Sequence, residues 1–318
     1  MPHRILGLHH VTATVDRAQA DLDFCMAGLG LRLVKKTVNF DNHHVFHFYY
    51  GTERGAPGTI WTTFPYAGRG VRLGVKGAGQ VTATAFSVPK GSLAAWKPRL
   101  QAQGIAVDDL RPRFDDQCLQ ATDPSGLAMT LVETDRDRRE PWAGGGVGAE
   151  RAIRGLHSVD MIVRDPAATL ELMTGLLGFE MVGREGSRIR LGVTDLPGAI
   201  IDVIQDANAP SALNGLGTVH HVAMAIGTGN EQVALRTELV ARGFHVTEVL
   251  DRQYFTSIYF REPGGVLFEV ATAGPGFAVD EPPEALGMDL KLPPWEEPNR
   301  EAIEAGLPEV SYPILTGR

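Results

Sequence analysis

Gly7-Leu8-His9-His10-Val11-Thr12 has a near copy far down the chain, Thr218-Val219-His220-His221-Val222-Ala223. Each copy lies in a short apolar run that reads as a strand. Working outward from them, one order recurs four times: strand, amphipathic helix, glycine, further strands. The opening strands are expected over 5–14, 80–88, 155–163 and 218–226. In the first unit Asp16 is placed to cap a helix carrying Ala18, Leu22 and Cys25 on one face. In the second, Ser92 precedes Leu93, Trp96 and Leu100, with Pro98 within about two turns of the cap. The third offers Asp165-Pro166 as cap and first helical residue, and the fourth reads as helix over 231–241.

Gly30, Gly104, Gly178 and Gly243 close these helices at spacings of 74, 74 and 65 residues. A glycine just past a helix end supplies the left-handed residue that terminates it. Pro57-Gly58, Asp123-Pro124-Ser125-Gly126, Pro197-Gly198 and Glu262-Pro263-Gly264-Gly265 each form a turn before an apolar run. Four such coincidences imply duplication. The expected class is α+β, with four βαβββ modules in tandem paired into two open mixed sheets. The division is expected in the Gly-rich stretch 136–151, giving an N-terminal domain of two modules, 1–145. A C-terminal domain, 146–318, holds the other two modules plus a tail. That tail, from residue 275, is rich in proline and acid, has one short helix near 299–305, and is expected to wrap the second half.

The composition narrows the partners. The chain has 318 residues, 43% apolar and 21% charged, with net charge −8. That is ordinary globular composition, and the acidic balance disfavours nucleic acid and anionic membrane surfaces, which need basic patches. Two cysteines, Cys25 and Cys118, make no disulfide framework and read as buried thiols. No signal-like leader and no apolar stretch of roughly 20 residues place the chain, as an expectation, in the cytoplasm.

The modules can be compared with one another for chemistry. At the place of His10 and His221 the third module has Ser158 after His157, and the second has Thr82-Ala83-Thr84-Ala85. Glu269 lies in Val266-Leu267-Phe268-Glu269-Val270. At its place the second module has Thr130, the first has Thr62 or Thr63, and the third has Asp202, one residue out of step. Only the first and fourth modules carry ligand-grade residues, so they must face each other while the second and third pair separately. Alternation along a strand separates His9 from His10 and His220 from His221 without saying which of each pair points inward. His10 and His221 are taken because each directly precedes a valine. The bland alternative is a pair of satisfied core histidines, but a duplicated His-His-Val with a carboxylate in a matching last strand favours metal. Two histidines and one acid suit a ferrous ion with vacant positions.

These residues resemble the vicinal oxygen chelate superfamily, which includes glyoxalases and extradiol dioxygenases. Several segments are similar, more narrowly, to the hydroquinone-cleaving ring dioxygenases. They are Leu8-His9-His10-Val11-Thr12, Val34-Lys35-Lys36-Thr37, Pro57-Gly58-Thr59 and Thr62-Thr63-Phe64-Pro65, with Val219-His220-His221, Pro263 to Glu269 and Leu286-Gly287-Met288-Asp289-Leu290-Lys291. The resemblance implies Fe(II), with Mn(II) as the alternative, held by His10, His221 and Glu269. It implies catalytic roles for Tyr259, His220 and Arg252, and substrate contacts for His9 and Thr12. It also implies a small aromatic substrate with O2, and a homo-oligomer. Phe46, Phe48, Trp61 and Phe255 are candidate pocket walls, and His47 a candidate pocket member. Two rivals remain: a glyoxalase-type isomerase, which uses a fourth protein ligand, and a non-catalytic small-molecule-binding protein of the same superfamily.

Overall fold

All four helix-closing glycines carry positive φ: +70° at Gly30, +72° at Gly104, +78° at Gly178 and +88° at Gly243. Only a residue without Cβ adopts that conformation freely. In the computed structural model, which describes residues 5–312, they mark four like modules. The first comprises β1 (Ile5–Val15), α1 (Ala18–Leu22, continued by a π-helical turn, Asp23–Gly28), β2 (Arg32–Asn39), β3 (Asn42–Gly51) and β4 (Ile60–Pro65). The second comprises β5 (Gln80–Pro89), α2 (Leu93–Ala102), β6 (Ala106–Val107), β7 (Arg111–Arg113), β8 (Asp116–Thr122) and β9 (Ala128–Thr134). The third has β10 (Gly155–Val163), α3 (Ala167–Gly175), β11 (Glu180–Glu185), β12 (Arg188–Gly192) and β13 (Ile200–Gln205). The fourth has β14 (Thr218–Ile226), α4 (Gly229–Ala241), β15 (Leu250–Asp251), β16 (Thr256–Arg261) and β17 (Leu267–Thr272).

The first and fourth modules share one sheet, in the order β15-β16-β17-β14-β1-β4-β3-β2. The third and second share the other, β11-β12-β13-β10-β5-β9-β8-β6, with β7 paired to β8. This is the pairing that the distribution of ligand-grade residues requires, in an α+β fold of two mixed sheets. Leu22, Trp96, Leu172 and Leu235 of the four helices join strand residues such as Val11, Phe86, Val159 and Val222 in one apolar cluster. Burial of each helix's apolar stripe is the main source of its stability. Between β9 and β10 the Gly-rich stretch has a packing reason: a Cβ on Gly145 would lie 2.0 Å from the Gly30 carbonyl oxygen.

Local details depart from the sequence reading. Asp16 does not cap α1; its backbone N–H donates to Ser125 Oγ at 3.0 Å. Ser92 stands at the N-cap of α2, but the first helical N–H, that of Leu93, is taken at 2.6 Å by Glu133 of β9. The tail does not wrap the second half alone. It packs across the shared sheet, where Phe277 meets Val34 and Tyr49 of the first module and Tyr254 of the fourth, and it then runs along the first, where Leu290 bridges Lys36 of β2 and Ser311 bonds Gln19. The reason is the shared sheet: β2 is its edge, and the chain leaving β17 covers that unpaired backbone. The short tail helix α5 (Arg300–Gly306) lies where expected. Both cysteines are free and buried. No helix among the described residues is long and apolar enough to cross a membrane.

Beside Cys25, Asp21 accepts hydrogen bonds from Tyr50 Oη at 2.7 Å and Thr63 Oγ1 at 2.5 Å. Burial nonetheless pushes its carboxyl up to about 7, against the pull of those two donors. The folded state therefore holds this proton more tightly than the unfolded chain, so stability falls as pH rises between about 4 and 7. Denaturant unfolding of Asp21→Asn is expected to show a shallower decline over that window. A decline as steep as the parent's would contradict this.

Candidate metal centre

The site grows from the seam where β1 meets β14 antiparallel, with β4 and β17 flanking them in parallel. In the β1–β14 ladder the register shifts between Leu8 and His10, a bulge that re-aims consecutive side chains. His10 and His221 then both face the concave side. His221 Nε2 lies 2.8 Å from Glu269 Oε2, His10 Nε2 lies 3.2 Å from the same oxygen, and the two Nε2 atoms are 3.2 Å apart. All three residues are buried. Among the described residues this is the one group of three or more histidines, cysteines and acids whose donor atoms converge for a metal.

Hydrogen bonding behind the ligands fixes which nitrogens are bare. His9 Nε2 sits 3.1 Å from the Thr272 carbonyl, which can only accept, so that nitrogen carries the proton. His9 Nδ1 is then an acceptor, and His10 Nδ1, 2.9 Å away, donates to it. This leaves His10 Nε2 with a bare lone pair aimed at Glu269. The same contact recurs between His220 Nδ1 and His221 Nδ1 at 2.8 Å. Glu269 Oε2 is buried with no hydrogen-bond donor of its own, while Ser257 Oγ donates to Oε1. Two imidazole nitrogens, that of His10 bare, and one orphaned carboxylate oxygen, all buried and convergent, fit a cation.

A cavity of about 360 Å³ opens beside these atoms. His220, Arg252, Tyr259 and Phe255 line it with His10, His221 and Glu269. Arg252 Nε donates to Tyr259 Oη at 3.2 Å, and its other two nitrogens grip the Asp41 carboxylate at 3.2 and 3.1 Å. Burial, then the neighbouring Glu269, raises the Tyr259 hydroxyl far above its ordinary value, so it stays protonated. Burial, then His221, brings His220 down to about 3.

His9 and Thr12, expected against the substrate, stand behind the cavity wall instead. His9 is wedged between His10, Phe255 and Thr272. Thr12 is wholly buried and accepts from Thr62 Oγ1 at 2.8 Å. Of the candidate walls only Phe255 reaches the cavity; Phe46, Phe48 and Trp61 belong to the apolar core. Tyr49, Phe64, Asn39 and Asp41 line the cavity without having been singled out.

Register resolves the comparison between modules. Ala223, two residues past His221, pairs with Glu269; Thr12, two past His10, pairs with Thr62. Thr62 therefore occupies the place of Glu269 in the first module, and Thr63 does not. Likewise Asp160, two past Ser158, pairs with Asp202. Asp202 is in step after all, because its turn is one residue shorter than Glu262-Pro263-Gly264-Gly265. In that sheet no imidazole meets it. Arg190 binds Asp202 through Nε at 2.8 Å and a second nitrogen at 2.9 Å, filling the centre with an ion pair.

Comparison with known proteins places the chain in a family. A protein of Bacillus subtilis named as a ring-cleaving dioxygenase, MhqO, is 41% identical over 307 residues, covering 96% of this chain and 97% of that one. The chain belongs to the glyoxalase/bleomycin resistance protein/dioxygenase superfamily. The superfamily's own sequence profile matches residues 155–270. Another superfamily relative, the chlorohydroquinone/hydroquinone 1,2-dioxygenase of Sphingobium indicum, is 37% identical, covering 93% of this chain and 94% of that one. The crystal structure of a protein described as a dioxygenase from Bacillus subtilis superposes with a TM-score of 0.93 at 40% identity, over 98% of this chain and 99% of that one. Maize glyoxalase I, at TM-score 0.63 and 13% identity over 84% of this chain and 92% of its own, shares the fold. Several relatives that span nearly the whole of this chain are named as ring-cleaving dioxygenases.

Proposed function

We propose that the chain is an Fe(II)-dependent ring-cleaving dioxygenase that inserts both atoms of O2 into a hydroquinone-type ring. The observation that carries this reading is the convergence of two imidazole nitrogens and one carboxylate oxygen, with no fourth arm. His10, His221 and Glu269 would hold the ion, with Mn(II) as the alternative occupant. When bound, such an ion lowers the pKa of a ring hydroxyl on it and couples electron density of the ring to dioxygen.

The remaining residues supply protons, charge and shape. Tyr259 Oη accepts from Arg252, so its own O–H is free to donate into the cavity. Arg252 stands with its charge against developing negative charge on oxygen. His220, neutral and lining the cavity, is placed to hold or pass a proton. Addition of O2 to a hydroquinone, with cleavage of one ring C–C bond, retains every atom and needs no external reductant. The relative named as a hydroquinone 1,2-dioxygenase supports this substrate class.

Thr62 bears on the glyoxalase-type alternative. That chemistry uses a fourth protein ligand, and here its place holds a threonine whose hydroxyl is already engaged. The test is oxygen uptake by Fe(II)-loaded protein given hydroquinone, methylhydroquinone and catechol in parallel. One O2 consumed per hydroquinone is expected, with catechol slower. Turnover without oxygen uptake would favour the isomerase, and no turnover with any substrate would favour a binding protein.

A further inference from the structure

The sheet that holds the metal centre is built twice over, and the two halves can be overlaid by register. Tyr259 of β16 pairs with Glu269, and Tyr49 of β3 pairs with Thr62. Two residues back along those strands lie Ser257 and His47. Ser257 Oγ bonds Glu269 Oε1, and His47 Nε2 bonds Thr62 Oγ1 at 2.9 Å. A serine–glutamate pair in one half is thus replaced by a histidine–threonine pair in the other. The first half has lost a carboxylate arm and gained a buried imidazole facing the same cavity.

The direction of the hydrogen bonds sets the tautomer of that imidazole. Thr62 Oγ1 spends its proton on Thr12 Oγ1, so it can only accept from His47. His47 Nε2 therefore carries the hydrogen, and Nδ1 keeps a lone pair. Among the described residues Nδ1 has no hydrogen-bond partner. The ring is held between Tyr49, 3.9 Å away centroid to centroid, and Phe64, 4.3 Å away. Burial keeps it neutral.

We infer that His47 is a substrate-binding residue, whose Nδ1 accepts a hydrogen bond from the ring hydroxyl that does not go to the metal. A hydroxyl on the metal is deprotonated and has nothing to donate. A second hydroxyl elsewhere on the ring keeps its proton, and a fixed acceptor selects for it. A catechol places both oxygens at the metal, whereas a hydroquinone leaves one for His47. Thr12, remote from the cavity, acts through this relay as a positioning residue. The inference rests on the reading of the cavity as a site for a hydroxylated ring.

Two measurements test it. In metal-free protein carrying 15N-histidine, the ring shifts of His47 are expected to report the Nε2–H form, with Thr62→Val eroding that preference. In anaerobic Fe(II)-loaded protein, hydroquinone is expected to bind at least tenfold more tightly than 4-methoxyphenol, which keeps one hydroxyl for the metal. His47→Phe should weaken hydroquinone binding about 10- to 100-fold, the cost of losing one buried hydrogen bond, and bring the two ligands level. His47→Asn, which restores an acceptor near Nδ1, should recover part of the preference. An Nδ1–H tautomer, no binding of hydroquinone, or a ligand preference untouched by His47→Phe would each overturn the inference. Oxygen uptake separates the two claims: a selective site that cleaves no ring refutes the proposed reaction alone, while cleavage indifferent to His47 refutes only this contact.

Discussion

Glu269→Gln is expected to abolish iron retention and lower ring-cleaving turnover by at least about 10³-fold, equivalent to about 4 kcal/mol. The amide keeps the size and the Oε1 acceptor that Ser257 needs, but removes the charge that balances a cation. In metal-free protein the same change should act in the opposite direction. Glu269 Oε2 there is a buried acceptor facing the bare His10 Nε2, and a Gln NH2 could donate to it. Metal-free Glu269→Gln should therefore melt no lower than the parent, while the rise in Tm on adding Fe(II) disappears. Calorimetry with and without iron checks both signs. A variant that keeps its iron and its turnover would show that Glu269 is not a ligand.

Lys35→Met is expected to cost about 3–5 kcal/mol of stability, the usual penalty for leaving buried charge without its partner. Lys35 has no exposed side chain, and its ammonium lies 2.5 Å from Asp280 and in contact with Glu281. Glu281 also takes the backbone N–H groups of Gly287 and Asp289. One cation on β2 thus organises the turn of the tail that carries Phe277 and Leu286 against Tyr49 and Tyr254. Tyr49 and Phe255, the residue after Tyr254, line the cavity, so the damage should reach the site. Urea unfolding should show the lower midpoint, and turnover should fall even where the protein stays folded. Adding Asp280→Asn and Glu281→Gln to the variant removes the unpaired charges and should recover part of the loss. A single variant as stable as the parent would mean that the tail is held by its apolar contacts alone.

The four modules were legible because backbone geometry enforces a residue type at their corners. Gly30, Gly104, Gly178 and Gly243 need positive φ, and a repeat of such a need at near-constant spacing survives divergence of everything between. The pairing of modules followed from chemistry, since a single site could not be assembled otherwise. Helix starts were less legible. Leu93 is capped by Glu133, forty residues away in sequence, which no local pattern announces. The Thr228-x-x-Glu231 signature at the start of α4 was there to be read, with Thr228 Oγ1 accepting from Glu231 N–H at 3.2 Å and donating to Glu231 Oε2 at 2.8 Å. The tail went astray because its partner is set by which edge strand lies open, a property of the assembled sheet.

Within the site, the convergent trio was readable from the duplicated His-His-Val. Alternation alone could not say which imidazole of each pair joins it, because the β1–β14 bulge breaks the pattern. Register, invisible in sequence, moved Asp202 into step and chose Thr62 over Thr63. Counting could not have found Tyr49, which lies eight residues before Pro57 where Tyr259 lies four before Pro263; only the register of β3 on β4 matches the two. Asp41 gave no local signal; its role is to meet Arg252 across the cavity mouth.

Anomalous scattering at the iron edge, from crystals of protein loaded with Fe(II) under argon, tests the centre most directly. One peak per chain is predicted, bonded at once to His10 Nε2, His221 Nε2 and a Glu269 carboxylate oxygen. A peak elsewhere, or none at full iron loading, would contradict the assignment of that trio as the metal site.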